Sequence, residues 1–168
     1  KKNLTLTGMM GVGKSAIGKI LAKGLSMQFV DLDRVIEKNL NMTIQKIFET
    51  KGEVFFRILE EKITLQEVKK KNTVISLGGG AFINPKIRKQ ILLSSKSFWL
   101  DLDIESIEIR VKNSKKRPLL NTHNIKNTLE KIYKERKKTY ELANYKINCN
   151  KLSANLIANK IIKLYGNN

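Results

Sequence analysis

Short apolar runs rich in β-branched residues alternate along this chain with longer stretches whose apolar residues recur every three or four positions. "NLTLT" (3–7), "FVDLD" (29–33), "TVISL" (73–77), "SFWLDL" (97–102) and "YKINC" (145–149) predict strands. Between them helical periodicity covers about 14–25, 34–40, 43–70 in two pieces, 85–94, 104–112, 126–143 and 154–165. Ser153 is placed to cap the last helix, and Gly166 stands just past its end. This alternation predicts an α/β fold, a parallel sheet covered by helices on both faces. In such sheets ligands gather beyond the carboxyl ends of the strands, so chemistry is expected where strands stop. The stretch 113–125, "NSKKRPLLNTHNI", fits no element, and a basic loop of that length predicts a lid or binding loop. A solvated place in that loop is expected for His123.

Composition narrows this picture only slightly. The 168 residues suit one domain, and 41% apolar residues is ordinary for a globular chain. No uninterrupted apolar run is long enough to span a membrane, and no secretory leader is legible, so a cytoplasmic protein is expected. Cys149 is the one cysteine and forms no internal disulfide, which suits a reducing compartment. The net charge of +18 raises the question of nucleic acid. Its lysines, however, are spread along the whole chain, with no arginine-rich tail or zinc-finger spacing. A solvated lysine surface with no nucleic-acid partner is expected.

The chemistry begins at once. "GMMGVGKS" (8–15) fits the G-x-x-x-x-G-K-S phosphate loop through Gly8, Gly13, Lys14 and Ser15, between a strand and a helix. Glycines let backbone N–H groups curl around an anion, and the helix presents its positive end to it. Lys14 is then placed for the β- and γ-phosphates of a nucleotide, and the Ser15 hydroxyl for Mg²⁺. On a strand, Asp31 and Asp33 share one face, suggesting one carboxylate for Mg²⁺ and one for an acceptor hydroxyl. Asp33 could equally cap the next helix, and "LDLD" offers a competing pair in Asp101 and Asp103, of which Asp103 is well placed as a cap. "SLGGGA" ends the third strand with Gly78, Gly79 and Gly80, more glycine than a turn demands, as close approach to a ligand would require.

Two arginines stand apart from the lysines. Arg57 lies among Phe55, Phe56, Ile58 and Leu59, off a wet face, either for a ligand or for an ion pair with Glu53 or Glu61. Arg136 falls on the apolar stripe of Leu129, Ile132, Tyr133, Tyr140 and Ala143, whereas Lys134, Lys137 and Lys138 fall off it. An inward guanidinium requires an anion, either a ligand carboxylate gripped in fork geometry or an internal partner. Arg117, in the loop "KKRPLL", fits a lid that brings positive charge to a transferring phosphoryl group. The residues alone therefore indicate a small phosphotransferase acting on a hydroxyl of an anionic acceptor.

Taken together, the phosphate loop, "FVDLD", "IFETKGEVFFRILE", "VISLGGGA", "RPLL" and "YKERKKTYELAN" resemble the shikimate kinase family over nearly the whole chain. The resemblance implies a P-loop NTPase fold like that of nucleoside-monophosphate kinases, with a five-stranded parallel sheet. It also implies ATP-dependent phosphorylation of the 3-hydroxyl of shikimate, within aromatic amino-acid biosynthesis. It places ATP on Gly11, Val12, Gly13, Lys14, Ser15 and Ala16, with Arg110 on the adenine and Arg117 reaching from the lid. Mg²⁺ falls to Ser15 and Asp31. Shikimate falls to Asp33, which is also the candidate base, and to Arg57, Gly79, Gly80 and Arg136. A substrate-binding helical segment over about 34–60, a lid over about 113–125 and a monomer are implied as well. One departure is Asn41, where relatives commonly carry glycine; asparagine tolerates left-handed backbone better than most residues.

Overall fold

A computed structural model describes residues 2–114 and 124–166. Five parallel strands, β1 (Asn3–Thr7), β2 (Gln28–Asp31), β3 (Thr73–Ser76), β4 (Ser95–Asp101) and β5 (Tyr145–Asn148), form one sheet in the order β2-β3-β1-β4-β5. Among the described residues seven helices connect and flank them: α1 (Lys14–Leu25), α2 (Leu32–Leu40), α3 (Ile44–Glu67), α4 (Pro85–Ser94), α5 (Ile104–Lys112), α6 (Ile125–Tyr140) and α7 (Ala154–Gly166). A 3-10 turn, Ala81–Ile83, precedes α4. The expected α/β architecture and its parallel sheet are present. Gly166 closes α7 rather than following it, and Ser153 caps that helix by accepting from the Leu156 N–H.

The inner strands β1 and β3 are buried along their whole length, and β4 in all but Lys96 and Asp101. Leu4 and Leu6 of β1, Val74 and Ile75 of β3, and Phe98 and Leu100 of β4 are wholly enclosed. Between β1 and its neighbours the connections run to opposite edges of the sheet, so the loop after β1 sits at the topological switch point. Register fixes the rim: Asp31 pairs with Ser76, and Thr7 with Trp99. The end of β2 therefore lies beside the glycine turn, and that turn lies beside the phosphate loop.

The two helical pieces expected over 43–70 are joined at Gly52, whose backbone (φ 80°, ψ 169°) is not helical. Thr43 starts the first piece by accepting from the Lys46 N–H. Asn41 ends α2 in left-handed backbone (φ 50°), the conformation that a glycine would adopt more easily. A Cβ at Gly52 would meet no neighbouring atom, so the demand there is conformational rather than spatial. Gly52→Ala should cost about 1–3 kcal/mol, because that backbone region is essentially confined to glycine. Urea unfolding checks this, and an unchanged midpoint would mean that the kink is not held.

Candidate active site

The site grows from the phosphate loop. Gly8 abuts the neighbouring strand so closely that a Cβ there would lie 2.5 Å from the Leu100 carbonyl oxygen. Gly13 caps α1 in left-handed backbone (φ 99°). No side chain caps that helix and no acid stands in its first turn, so the positive end is left for an anion. Lys14 is buried, and its Nζ donates to the carbonyls of Gly8 (2.8 Å) and Met9 (2.9 Å), which holds the charge against the loop. Gly11 and Ala16 face the cavity, whereas the Val12 side chain enters the core. Arg110 crosses from α5, with Nη1 donating to the carbonyls of Gly11 (3.3 Å) and Val12 (3.2 Å).

The aspartates differ from expectation in how they arise. β2 ends at Asp31, and the next helix starts at once. Asp31, not Asp33, is the cap, its carboxylate accepting from the Arg34 N–H at 3.5 Å. Asp33 therefore sits in the first helical turn, and strand alternation is not what relates the two. Both still face one cavity. Asp31 Oδ2 accepts from Ser15 Oγ at 2.5 Å. Two hard oxygens at the loop's mouth suit Mg²⁺, which takes its remaining ligands from phosphates and water. Among the described residues no cluster of three or more His, Cys, Asp or Glu side chains could hold a metal by itself.

The competing pair is otherwise engaged. Asp103 caps α5, accepting from Ser106 N at 2.8 Å. Asp101 accepts from the Tyr133 hydroxyl at 3.1 Å and pairs with Lys146 at 3.1 Å. Burial, reinforced by Asp101, pushes the Tyr133 phenol up to about 12.

Three charged elements converge on the triple glycine. A Cβ at Gly78 would lie 2.8 Å from Asp33 Oδ1; one at Gly80, 2.6 Å from Arg57 Nη1; one at Gly79, 3.4 Å from Arg136 Nη1. The missing side chains are what let these groups close in. Arg57 is half-buried although Phe55 and Ile58 beside it are exposed, so its apolar neighbours are not the reason. What turns it inward is Glu60, whose Oε2 it meets at 2.7 Å, with Glu53 at 3.5 Å on the other side and the Phe56 ring 5.2 Å away. Glu61, the other expected partner, instead bonds Asn84 (2.7 Å) and Lys86 (3.1 Å). Arg136 points inward from α6 while Lys134, Lys137 and Lys138 are exposed, as the stripe predicted.

Glu60 was not among the candidates, yet it is the most buried carboxylate at the site, 3% exposed. The available signal was its place three residues after Arg57, a spacing as favourable on a helix as four. Burial pushes its carboxyl above the ordinary value, and nearby Asp33 adds to this, while Arg57 and Arg136 pull the other way.

Asp31, Asp33, Glu60 and the triple glycine face one cavity of about 510 Å³ running from Lys14 and Ser15 to Arg57 and Arg136. Phe48 and Phe56, with ring centroids 4.6 Å apart, supply an apolar wall. Arg117 and most of the expected lid lie outside the described residues.

A sequence profile of the shikimate kinase family matches residues 10–165. The chain belongs to the shikimate kinase family. Shikimate kinase of Bartonella henselae is 42% identical over 160 residues, covering 95% of this chain and 76% of that protein. Shikimate kinase of Sulfurihydrogenibium sp. is 42% identical over 164 residues, covering 96% of each. The structure of shikimate kinase from Acinetobacter baumannii in complex with shikimate matches with a TM-score of 0.95 at 34% identity, covering 98% of this chain and 92% of that one. The fold is thus that of the shikimate kinases.

The raised Glu60 pKa has a sign that can be checked. Its contribution to stability is complete below the ordinary value of 4.5 and is lost as pH rises through the raised folded value. Glu60→Gln, neutral throughout, should match the parent protein at low pH and gain on it towards neutrality. Urea unfolding across pH measures the gap, and a gap independent of pH would contradict the assignment.

Proposed function

We propose that this chain transfers the γ-phosphoryl group of ATP to the 3-hydroxyl of shikimate, giving shikimate 3-phosphate and ADP. The observation that carries this is the shared cavity, where a phosphate loop faces two inward guanidinium groups and a carboxylate across three glycines. Family membership supplies the identity of the acid, and the geometry supports a role for each described residue. The backbone of Gly11, Val12, Gly13 and Ala16 cradles the phosphates. Lys14 neutralises charge on the β- and γ-phosphates, and Arg110 flanks the adenine. Ser15 and Asp31 would hold Mg²⁺, which would contribute charge neutralisation on the phosphate oxygens when bound.

Arg57 and Arg136 grip the shikimate carboxylate, and the backbone of Gly79 and Gly80 completes its seat. Asp33 accepts a hydrogen bond from the attacking hydroxyl and orients it. One P–O bond to the ADP leaving group breaks as another forms to the acceptor oxygen, with the hydroxyl proton passing to Asp33. Catalysis of this kind is positioning and charge neutralisation. Arg117 is assigned to the lid, where it would add positive charge at the γ-phosphate and help exclude water.

Each described group in this scheme comes from one chain, so a monomer suffices. Among the described residues no helix is long and apolar enough to cross a membrane. A cytoplasmic setting suits the buried free thiol of Cys149.

The direct test is ADP formation from ATP and Mg²⁺ with and without shikimate; turnover should depend on shikimate, and gluconate or nucleoside monophosphates should not replace it. Lys14→Met should lower kcat/KM by about 10²-fold or more, as losing a charge-stabilising donor does. A rate near that of the parent protein would refute its role. Arg136→Ala should raise the KM for shikimate far more than that for ATP, and an effect confined to ATP would reject the carboxylate assignment.

A further inference from the structure

Tyr140, at the C-terminal end of α6, is wholly buried. Its ring stacks on Trp99 with centroids 5.9 Å apart and planes at 29°. Packing alone would be served by phenylalanine, which brings no oxygen to desolvate. The oxygen here is used. Tyr140 Oη donates to the Gly79 carbonyl at 2.5 Å. The Arg136 guanidinium, one helical turn earlier on α6, lies near enough to favour the ionised form of the same hydroxyl. A phenol can donate one hydrogen bond and accept others, so it can serve a carbonyl and a guanidinium together.

The consequence lies in the peptide between Gly79 and Gly80. It is planar and trans, so the Gly79 C=O and the Gly80 N–H point in opposite directions. Holding the carbonyl on the α6 side turns the Gly80 N–H to the other side. Glycine backbone on either side of that peptide does not by itself fix its rotation. The hydroxyl is the external clamp that does, and it belongs to a wholly buried residue, where a hydrogen bond is felt most strongly. Gly79 is packed on its other flank by the phosphate loop, its Cβ position 3.3 Å from Met10 N.

We propose that Tyr140 is a positioning residue for the anionic acceptor: its hydroxyl aims the Gly80 N–H and seats the Arg136 guanidinium, so that acceptor affinity depends on one buried oxygen that does not touch the acceptor. This rests on the assignment of Arg136 and Gly80 to the acceptor made above. Burial pushes the Tyr140 phenol up, against the pull of Arg136 and Arg57, which keeps it protonated as a donor.

The experiment is steady-state kinetics of Tyr140→Phe with shikimate and ATP varied in turn, beside Arg136→Ala and the double variant, with thermal melts of each. Tyr140→Phe should raise the KM for shikimate by about tenfold, the scale of one buried hydrogen bond, and leave the KM for ATP within about twofold. In the Arg136→Ala background the added effect of Tyr140→Phe should shrink, because the hydroxyl acts in part through that guanidinium. An unchanged KM for shikimate in Tyr140→Phe overturns the proposal if Arg136→Ala still raises it. If Arg136→Ala leaves that KM unchanged too, the acceptor site itself has been misassigned. A variant that fails to fold, or in which both KM values rise together, makes Tyr140 a packing residue and also overturns the proposal.

Discussion

Charged side chains can close on a main chain only where that main chain carries no side chains of its own. Gly78, Gly79 and Gly80 create that opening at the end of β3, and the rest of the site depends on it. Asp33 from α2, Arg57 and Glu60 from α3, and Arg136 from α6 all come within contact distance of positions that any Cβ would crowd. Burying such groups is costly unless their charges are balanced. The cluster supplies that balance in part, since Arg57 neutralises Glu60 directly and Arg136 lies close enough to pull on its titration. The two guanidinium groups meet two carboxylates there, Asp33 and Glu60, with Glu60 in a direct ion pair with Arg57.

The second constraint is topological. Because β3 and β1 are adjacent and parallel, their carboxyl ends deliver the glycine turn and the phosphate loop to the same rim. The two halves bind anions by different means. The loop offers backbone N–H groups and a helix end, suited to a tetrahedral phosphate approached from several sides. The acceptor half offers planar guanidinium groups, suited to a planar carboxylate. Discrimination between the two anions is thereby built into geometry. The lysines that dominate the charge of the chain lie mostly outside this scheme; along α6 they are exposed while Arg136 turns in.

Most of the fold was legible in sequence because apolar periodicity and helix caps agree with it. Asp103 and Ser153 each mark a helix start by a side chain that accepts a backbone N–H. The phosphate loop was legible for the same reason, since its residue types are dictated by backbone chemistry. The boundary at Asp31 was not. "FVDLD" satisfies a strand alternation and a helix start equally well, and only the capping bond to Arg34 decides between them. Glu60 and Tyr140 stayed hidden because their importance arises in three dimensions. Both read as ordinary members of an amphipathic helix until the folded chain brings Glu60 to Arg57 and Tyr140 to the Gly79 carbonyl. Arg57 was singled out by its apolar neighbours, two of which proved to face outward; its ion pairs are the better explanation.

The central claim is that one planar acid sits between Arg57 and Arg136 at the triple glycine, within reach of a nucleotide held by the loop at Lys14. A crystal structure of this protein with shikimate and ADP tests it most directly. The account predicts the carboxylate of shikimate in hydrogen-bond contact with both guanidinium groups and its 3-hydroxyl beside Asp33, facing the phosphate loop. Shikimate bound elsewhere, or with its carboxylate turned away from both arginines, would contradict it.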